Sequence, residues 1–169
     1  LLASSAASDV YKRQFLYRAP KLEMKSLNIG AVAQKYADTF DIDSDGAVEM
    51  AKLTKGYPFA FQVLGYLTWN NNGDYKGVLA EYRQYLEEYV YEKIWSELSS
   101  KDKEIAFAIA QCETGKIKDI RELLHIDTNQ FNPYRKRLIK KGIVDGSEYG
   151  FVRFTLPFFE QFVIENYYD

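Results

Sequence analysis

Few of the residue types that build catalytic or metal sites occur in this chain. Among its 169 residues there is one cysteine, Cys112, and one histidine, His125. A single cysteine excludes an internal disulfide, and one residue of each type excludes the usual zinc sites of cysteine and histidine. A lone histidine without a supporting motif also gives no ground for a catalytic triad. We therefore expect no catalytic residue and no metal site, a local structural role for His125, and a buried, unreactive Cys112 in a cytoplasmic protein.

Long apolar runs and phosphate-binding loops are also missing. No apolar run approaches the roughly 20 residues that span a bilayer, so we expect no membrane partner. The nearest approach to a GxxxxGK[ST] loop is Thr114-Gly115-Lys116, which lacks the upstream glycine and the hydroxyl residue after the lysine. The chain alone is therefore expected neither to hydrolyse ATP nor to bind it well.

One acidic turn imitates the start of a calcium-binding loop. Asp41, Asp43 and Asp45 alternate and are followed by Gly46, but the twelfth position of such a loop is Lys52 instead of a bidentate glutamate. A cation does not bind calcium, so the run is interpreted as a turn that caps the following helix.

The most apolar stretch of the chain covers residues 54–69 and begins with a turn. Gly56 is suited to end one helix in a left-handed conformation, and Pro58 is suited to begin the next. From Phe59 onward the residues are apolar on almost every side, which predicts a buried helix over residues 58–69. Only Gln62 interrupts this pattern, and if buried it would need hydrogen-bond partners.

Helical periodicity and turn residues predict a mainly α fold with a small β-hairpin. An extended segment is expected over residues 15–24, before the first helix. Helices are predicted over residues 28–39, 45–54, 58–69, 75–97, from Ser99 to about 112, 118–124, 128–141 (or from Asn132 with Pro133 first) and from Pro157 onward. Strands are predicted over residues 143–145 and 151–155.

The second half of this pattern is typical of a winged helix-turn-helix domain. A helix, a short helix, a turn and a basic helix precede Gly142 and the two strands. Residues 116–153 carry a net charge of +4, whereas the rest of the chain carries −6. Such an asymmetry favours a DNA-facing surface. The candidate DNA contacts are Asn129, Gln130, Arg135, Lys136 and Lys140. The alternative is a solvated face on a protein-interaction domain.

The first residues differ in character from the rest. The string Asp9-Val10-Tyr11-Lys12-Arg13-Gln14 resembles a translated sequencing adapter, so residues 1–14 are interpreted as an artefact, with a disordered tail as the alternative. We expect a helical domain over residues 15–95, interpreted below from a resemblance, and a winged-helix domain over residues 96–169. The chain is accordingly expected to be the C-terminal part of a longer protein.

Residues 54–66, with the sequence TKGYPFAFQVLGY, resemble the helical lid of archaeal and bacterial ATPases of the STAND/AAA+ type. The likeness continues through residues 90–99 and through YRKRLIKKGIV at residues 134–144. In that family a GxP motif of the lid places its proline against the nucleotide base. The matching residues here are Gly56, Tyr57 and Pro58.

The resemblance implies that ATP or ADP binds only in an intact parent protein, between the lid and a missing N-terminal P-loop domain. It also implies that the gene upstream of Phe15 encodes a GxxxxGK[ST] motif. No cofactor is expected for this fragment. Two alternatives remain: a winged-helix DNA-binding regulator, and a protein-interaction module that docks a regulatory protein. The module would use the aromatic residues Phe158, Phe159, Tyr167 and Tyr168.

Overall fold

Helices dominate the structure, a computed structural model that describes residues 25–168. The predicted segments 1–14 and 15–24 lie outside the described residues. The helices are α1 Ile29–Thr39, α2 Ser44–Lys52, α3 Pro58–Asn70, α4 Leu79–Leu86, α5 Glu92–Ser96, α6 Ser100–Gln111, α7 Ile117–Leu124, α8 Thr128–Lys140 and α9 Phe159–Asn166. Strands β1 Val144–Asp145 and β2 Arg153–Phe154 form an antiparallel pair in which Val144 faces Phe154. The prediction of a mainly α fold with a small hairpin is confirmed.

Several helices begin where a side chain caps them. Asn28 accepts a hydrogen bond from the amide of Ala31, and Asp43 accepts one from the amide of Gly46. Ser99 and Asp127 form capping boxes at the starts of α6 and α8. These caps satisfy amide groups that have no partner inside their helix. The cap at Asp127 also shows that α8 begins at Thr128 and not at Asn132, the predicted alternative.

The turn before α3 needs a glycine at position 56. Gly56 has a φ of +72°, and a Cβ there would lie 2.5 Å from the carbonyl oxygen of Leu27. Pro58 follows at the first helical position, as predicted. The expectation that α3 is buried on all sides is wrong, because Tyr66 and Trp69 are 60% and 67% exposed and Gln62 also faces solvent. The inner face contains Ala60, Val63, Leu64, Leu67 and Thr68.

The predicted helix over residues 75–97 is helical over residues 76–96 but changes its winding. A 3₁₀ turn, Lys76–Val78, precedes α4, and a π-helical segment, Glu87–Tyr91, joins α4 to α5. Leu86 and Tyr91 are both fully buried and are five residues apart, a spacing that the wider π turn accommodates. Tyr89 recurs at helical spacing with Tyr82 and Leu86, which predicts it on the inner face, but its side chain is 65% exposed.

Helices α1 to α4 share one apolar core with the unit formed by α6 to α8 and the two strands, which we call the helix–hairpin unit. Tyr91, in the π-helical segment, donates a hydrogen bond to the carbonyl oxygen of Pro157, and its ring lies 5.0 Å from that of Phe159. Lys55, in the turn before α3, donates to the carbonyl oxygen of Phe154 at 3.3 Å. The turn at residues 54–58 is therefore connected directly to the hairpin.

The last helix begins two residues later than predicted. Phe158 has a φ of +57° and caps the helix, so α9 starts at Phe159 instead of Pro157. Phe159 is fully buried and Phe158 is half-buried against the ring of Tyr82. The prediction that Phe158, Phe159, Tyr167 and Tyr168 dock a partner is therefore wrong for Phe158 and Phe159, because these two side chains pack in or against the core. Among residues 25–168, no helix combines the length and apolarity needed to cross a membrane.

Candidate functional site

The turn that precedes α3 faces an open groove of about 610 Å³. One side of the groove is formed by the start of the described chain and the first turns of α3. A second part of its lining is formed by Ile94, by the end of α8 and by the segment that follows β2. The lining residues are Ser26, Tyr57, Pro58, Phe59, Gln62, Ile94, Lys141, Gly142, Thr155 and Leu156.

Two of the three predicted nucleotide contacts line this groove. Tyr57 and Pro58 are half-buried on its wall, whereas Gly56 is buried behind them and forms the turn. No side chain caps α3, so its first amide groups have no side-chain acceptor among the described residues. Pro58 presents an apolar ring beside these amides. Burial raises the pKa of the Tyr57 phenol, which therefore stays neutral and can serve as a hydrogen-bond donor.

The electrostatic character of the groove is positive. Lys141 is exposed in this second part of the lining, and no carboxylate is among the residues that line the groove. The hydroxyl of Thr155 donates to the carbonyl oxygen of Gly142 at 2.5 Å, and this hydrogen bond holds the segment after β2 beside the end of α8. A lysine, an apolar ring and an uncapped helix start together suit a ligand that is anionic at one end and flat and apolar at the other. The sequence showed Lys141 only as part of the basic run of α8.

Some side chains of the predicted DNA contacts are only exposed to solvent, and others form hydrogen bonds within the chain. Asn129, Lys136 and Lys140 are exposed and, with Pro133, follow a spacing of four, three and four residues along one face of α8. Gln130 is exposed too, but its amide oxygen accepts from the backbone of Asp127 at 3.0 Å in the capping box.

Arg135 points to the hairpin instead of joining this exposed stripe. Its guanidinium donates to the carbonyl oxygen of Gly146 at 3.0 Å, and the side chain is half-buried. A Cβ at position 146 would lie 2.5 Å from that guanidinium, so the two residues are closely packed. The sequence alone did not distinguish Arg135 from its basic neighbours, because adjacent residues of a helix point in different directions.

The acidic turn and the lone histidine have structural roles. Asp43 caps α2, which confirms the predicted turn and cap, and residues 25–168 contain no cluster of potential metal ligands. His125 ends α7 in a left-handed conformation with a φ of +53°. Cys112 is only half-buried, which corrects the expected full burial. Its sulfur lies 3.3 Å from the hydroxyl of Thr114, so its immediate surroundings are partly polar.

Comparison with known proteins gives one family match. Residues 88–163 match a family described as a domain of unknown function (DUF8462), a range that runs from the π-helical segment into α9. No curated protein and no solved structure matches the chain.

Proposed function

We propose that this chain is the lid and winged-helix part of a P-loop ATPase, in which Pro58 lies against the base of ATP or ADP. The observation that carries the proposal is the groove of about 610 Å³ between the Tyr57–Pro58 turn and Lys141. The residues on its two sides match the recognition needs of a nucleotide, with a flat apolar ring for the base and a cation for the phosphates. The Walker motifs would lie in an N-terminal P-loop domain that this chain does not contain.

The winged-helix part of the proposal is supported by the arrangement of α6 to α8 and the hairpin. Lys116, just before α7, forms an isolated antiparallel bridge with Phe151, which adds a short third strand position beside β1 and β2. This order of three helices with a strand before the second helix and a hairpin after the third is typical of winged helices. In the parent, the unit would move with the lid if the two nucleotide states contact the groove differently.

The proposal is tested first by the gene and then by ligand titration. An intact reading frame upstream of Phe15 without a GxxxxGK[ST] motif would contradict it. For the chain itself, we expect ADP to bind only weakly, at about millimolar concentration, because the phosphate site is missing. In a two-dimensional amide NMR titration, ADP should shift the resonances of Phe59, Gln62 and Lys141.

A matched pair of proline variants shows whether the groove is responsible. Pro58→Ala should reduce the shifts that ADP causes, whereas Pro133→Ala, on the exposed face of α8, should leave them unchanged. Equal responses of both variants, or shifts confined to other parts of the chain, would count against a nucleotide at Pro58.

A second candidate function is DNA binding by α8. It is favoured by the exposed stripe of Asn129, Pro133, Lys136 and Lys140, which carries two lysines and a base-reading amide. Duplex binding that weakens steeply with salt would support this function. The parent could use both surfaces, because the stripe residues are not among those that line the groove.

A further inference from the structure

A second surface, far in sequence from the basic helix, consists of four aromatic rings, three of them exposed and one, Tyr85, half-buried. Tyr66 and Trp69 lie three residues apart on the exposed face of α3, and Tyr89 lies on the π-helical segment. Tyr85, in α4, stacks on Tyr89 with ring centroids 5.5 Å apart and an angle of 25°. We call these four residues the aromatic patch. A cluster of exposed rings marks an interaction surface more often than a single exposed ring does.

The aromatic patch has acidic neighbours. Glu81 and Glu88 are exposed on the same helical run, one turn to either side of Tyr85. Burial raises the pKa of the Tyr85 phenol, and the charges of Glu81 and Glu88 and the rings of Tyr66 and Tyr89 raise it further. Of the groups that raise the pKa of Tyr85, only Glu81 and Glu88 are charged near neutral pH, and both charges are negative.

The nearest arginine is not free to neutralise these charges. Arg83 lies 2.6 Å from Glu87 and also forms an ion pair with Glu165 of α9, so its charge is already matched. Lys93 lies beyond Tyr89 but is flanked by Glu92 and by Glu97 in the sequence. Lys76 forms an ion pair with Glu49 at 3.5 Å. Arg83 and Lys76 are therefore already paired, and the exposed Lys93 is outnumbered by the exposed Glu81, Glu88 and Glu92, so the surroundings of the patch carry a net negative charge.

We propose that the aromatic patch binds an arginine-bearing segment of a partner protein. A guanidinium lies flat on an aromatic ring and donates hydrogen bonds in its own plane, so one arginine can contact Tyr89 and Glu88 together. Lysine fits less well because its charge is compact and strongly hydrated. The net negative charge disfavours nucleic acid, because it repels phosphate groups. The patch uses neither the groove nor the stripe on α8, so it goes beyond the proposed function.

The probe for this proposal is an unstructured peptide of alternating serine and arginine, added to the full chain. Amide NMR should show shifts at Tyr66, Tyr85 and Tyr89, and the fluorescence of Trp69 should change. A lysine peptide of equal charge should bind more weakly, and a glutamate peptide should not bind.

Three variants separate the patch from a general attraction between opposite charges. Tyr89→Ala should weaken arginine-peptide binding about two- to fivefold, the effect of one exposed cation–π contact. Glu88→Gln, which keeps the side-chain shape, should weaken it as well. Tyr149→Ala removes a fully exposed ring from the hairpin turn and should leave the affinity unchanged. Since all three residues are exposed, the variants should fold like the original chain.

Several outcomes would overturn the proposal. One is equal affinity of the arginine peptide for the Tyr89→Ala and Tyr149→Ala variants, or equal affinity of the original chain for arginine and lysine peptides. Another is self-association of the chain that Tyr89→Ala abolishes, because a second copy would then cover the patch. A third is binding of duplex DNA at Tyr85 and Tyr89.

Discussion

The guanidinium of Arg137 lies 2.9 Å from the carboxylate of Asp102, which is only 2% exposed. This ion pair joins the first turn of α6 to the last turn of α8. Asp102 also accepts a hydrogen bond from the hydroxyl of Ser99 at 2.6 Å, so the capping box and the ion pair share one carboxylate. The pair thus fixes the exposed stripe of α8 relative to the rest of the helix–hairpin unit.

Arg137→Ala should lower the free energy of unfolding by about 1–2 kcal/mol. The expected loss is below that of a fully buried pair, because Arg137 itself is about half exposed while the carboxylate it leaves is buried. Chemical denaturation provides the measurement. Lys136→Ala, at the exposed neighbouring position, should change the stability by less than about 0.5 kcal/mol. Equal losses in the two variants would show that the ion pair contributes nothing.

Tyr91→Phe should lower the stability by about 1–2 kcal/mol, because it leaves the buried carbonyl of Pro157 without its donor. The matched control is Tyr89→Phe, two residues earlier in the same π-helical segment, where the side chain is exposed and the change should be near zero. Denaturation midpoints of the two variants give the comparison. A loss of the same size at Tyr89 would contradict the assignment of inner and outer faces around the π turn.

Gly56→Ala should destabilise the protein by about 2–4 kcal/mol and Gly73→Ala by about 1 kcal/mol. Both glycines have a positive φ, so both variants bear the strain of a left-handed alanine. At position 56 the added Cβ would also collide with the carbonyl oxygen of Leu27, whereas nothing lies within 4 Å at position 73. Thermal unfolding measures the difference. If the two variants are equally stable, the close contact with Leu27 does not exist.

Stability should fall as the pH rises above about 10, the ordinary pKa of tyrosine. Burial raises the pKa of Tyr36, Tyr82 and Tyr91 in the folded chain. Above the unfolded pKa the unfolded chain loses these protons first and therefore binds fewer, so the free energy of unfolding decreases with pH. Each of these phenols contributes a slope of about 1.4 kcal/mol per pH unit. In the Tyr91→Phe variant, the free energy of unfolding should decrease less steeply with pH, by about 1.4 kcal/mol per pH unit. An unchanged pH dependence would contradict the role of Tyr91.

The caps and turns could be predicted from the sequence, because they depend on a few neighbouring residues. The features that depend on side-chain packing could not. Asn28, Gly56 and Pro58 each have a conformational preference that acts within a few residues. Helices α1 and α3 begin next to Asn28 and at Pro58 as predicted, whereas α2 ends at Lys52, before the turn that contains Gly56. The π-helical segment follows instead from the need to bury both Leu86 and Tyr91. A periodicity of 3.6 residues carries no sign of this need, so Tyr89 was placed on the wrong face.

The candidate site shows the same division. Pro58 was found from its own sequence context, but the groove also requires Lys141 and Thr155, which are distant in the chain and reach it only through the shared core. Arg135 and Lys136 are adjacent and equally basic in the sequence. Their different environments depend on the hairpin, whose turn places the carbonyl of Gly146 beside Arg135.

The different environments of Arg135 and Lys136 give the prediction for DNA binding. Lys136→Ala and Lys140→Ala should each weaken the binding of duplex DNA and reduce the slope of log K against log salt by about 1, as expected for the loss of one phosphate contact. Fluorescence anisotropy at several salt concentrations measures both quantities. Arg135→Ala should instead lower the stability, because the carbonyl of Gly146 loses its donor, while the salt slope of the folded protein stays the same. A reduced slope in Arg135→Ala with unchanged stability would mean that Arg135 leaves the hairpin to contact DNA. Binding that none of the three substitutions weakens would remove α8 as the DNA-binding element.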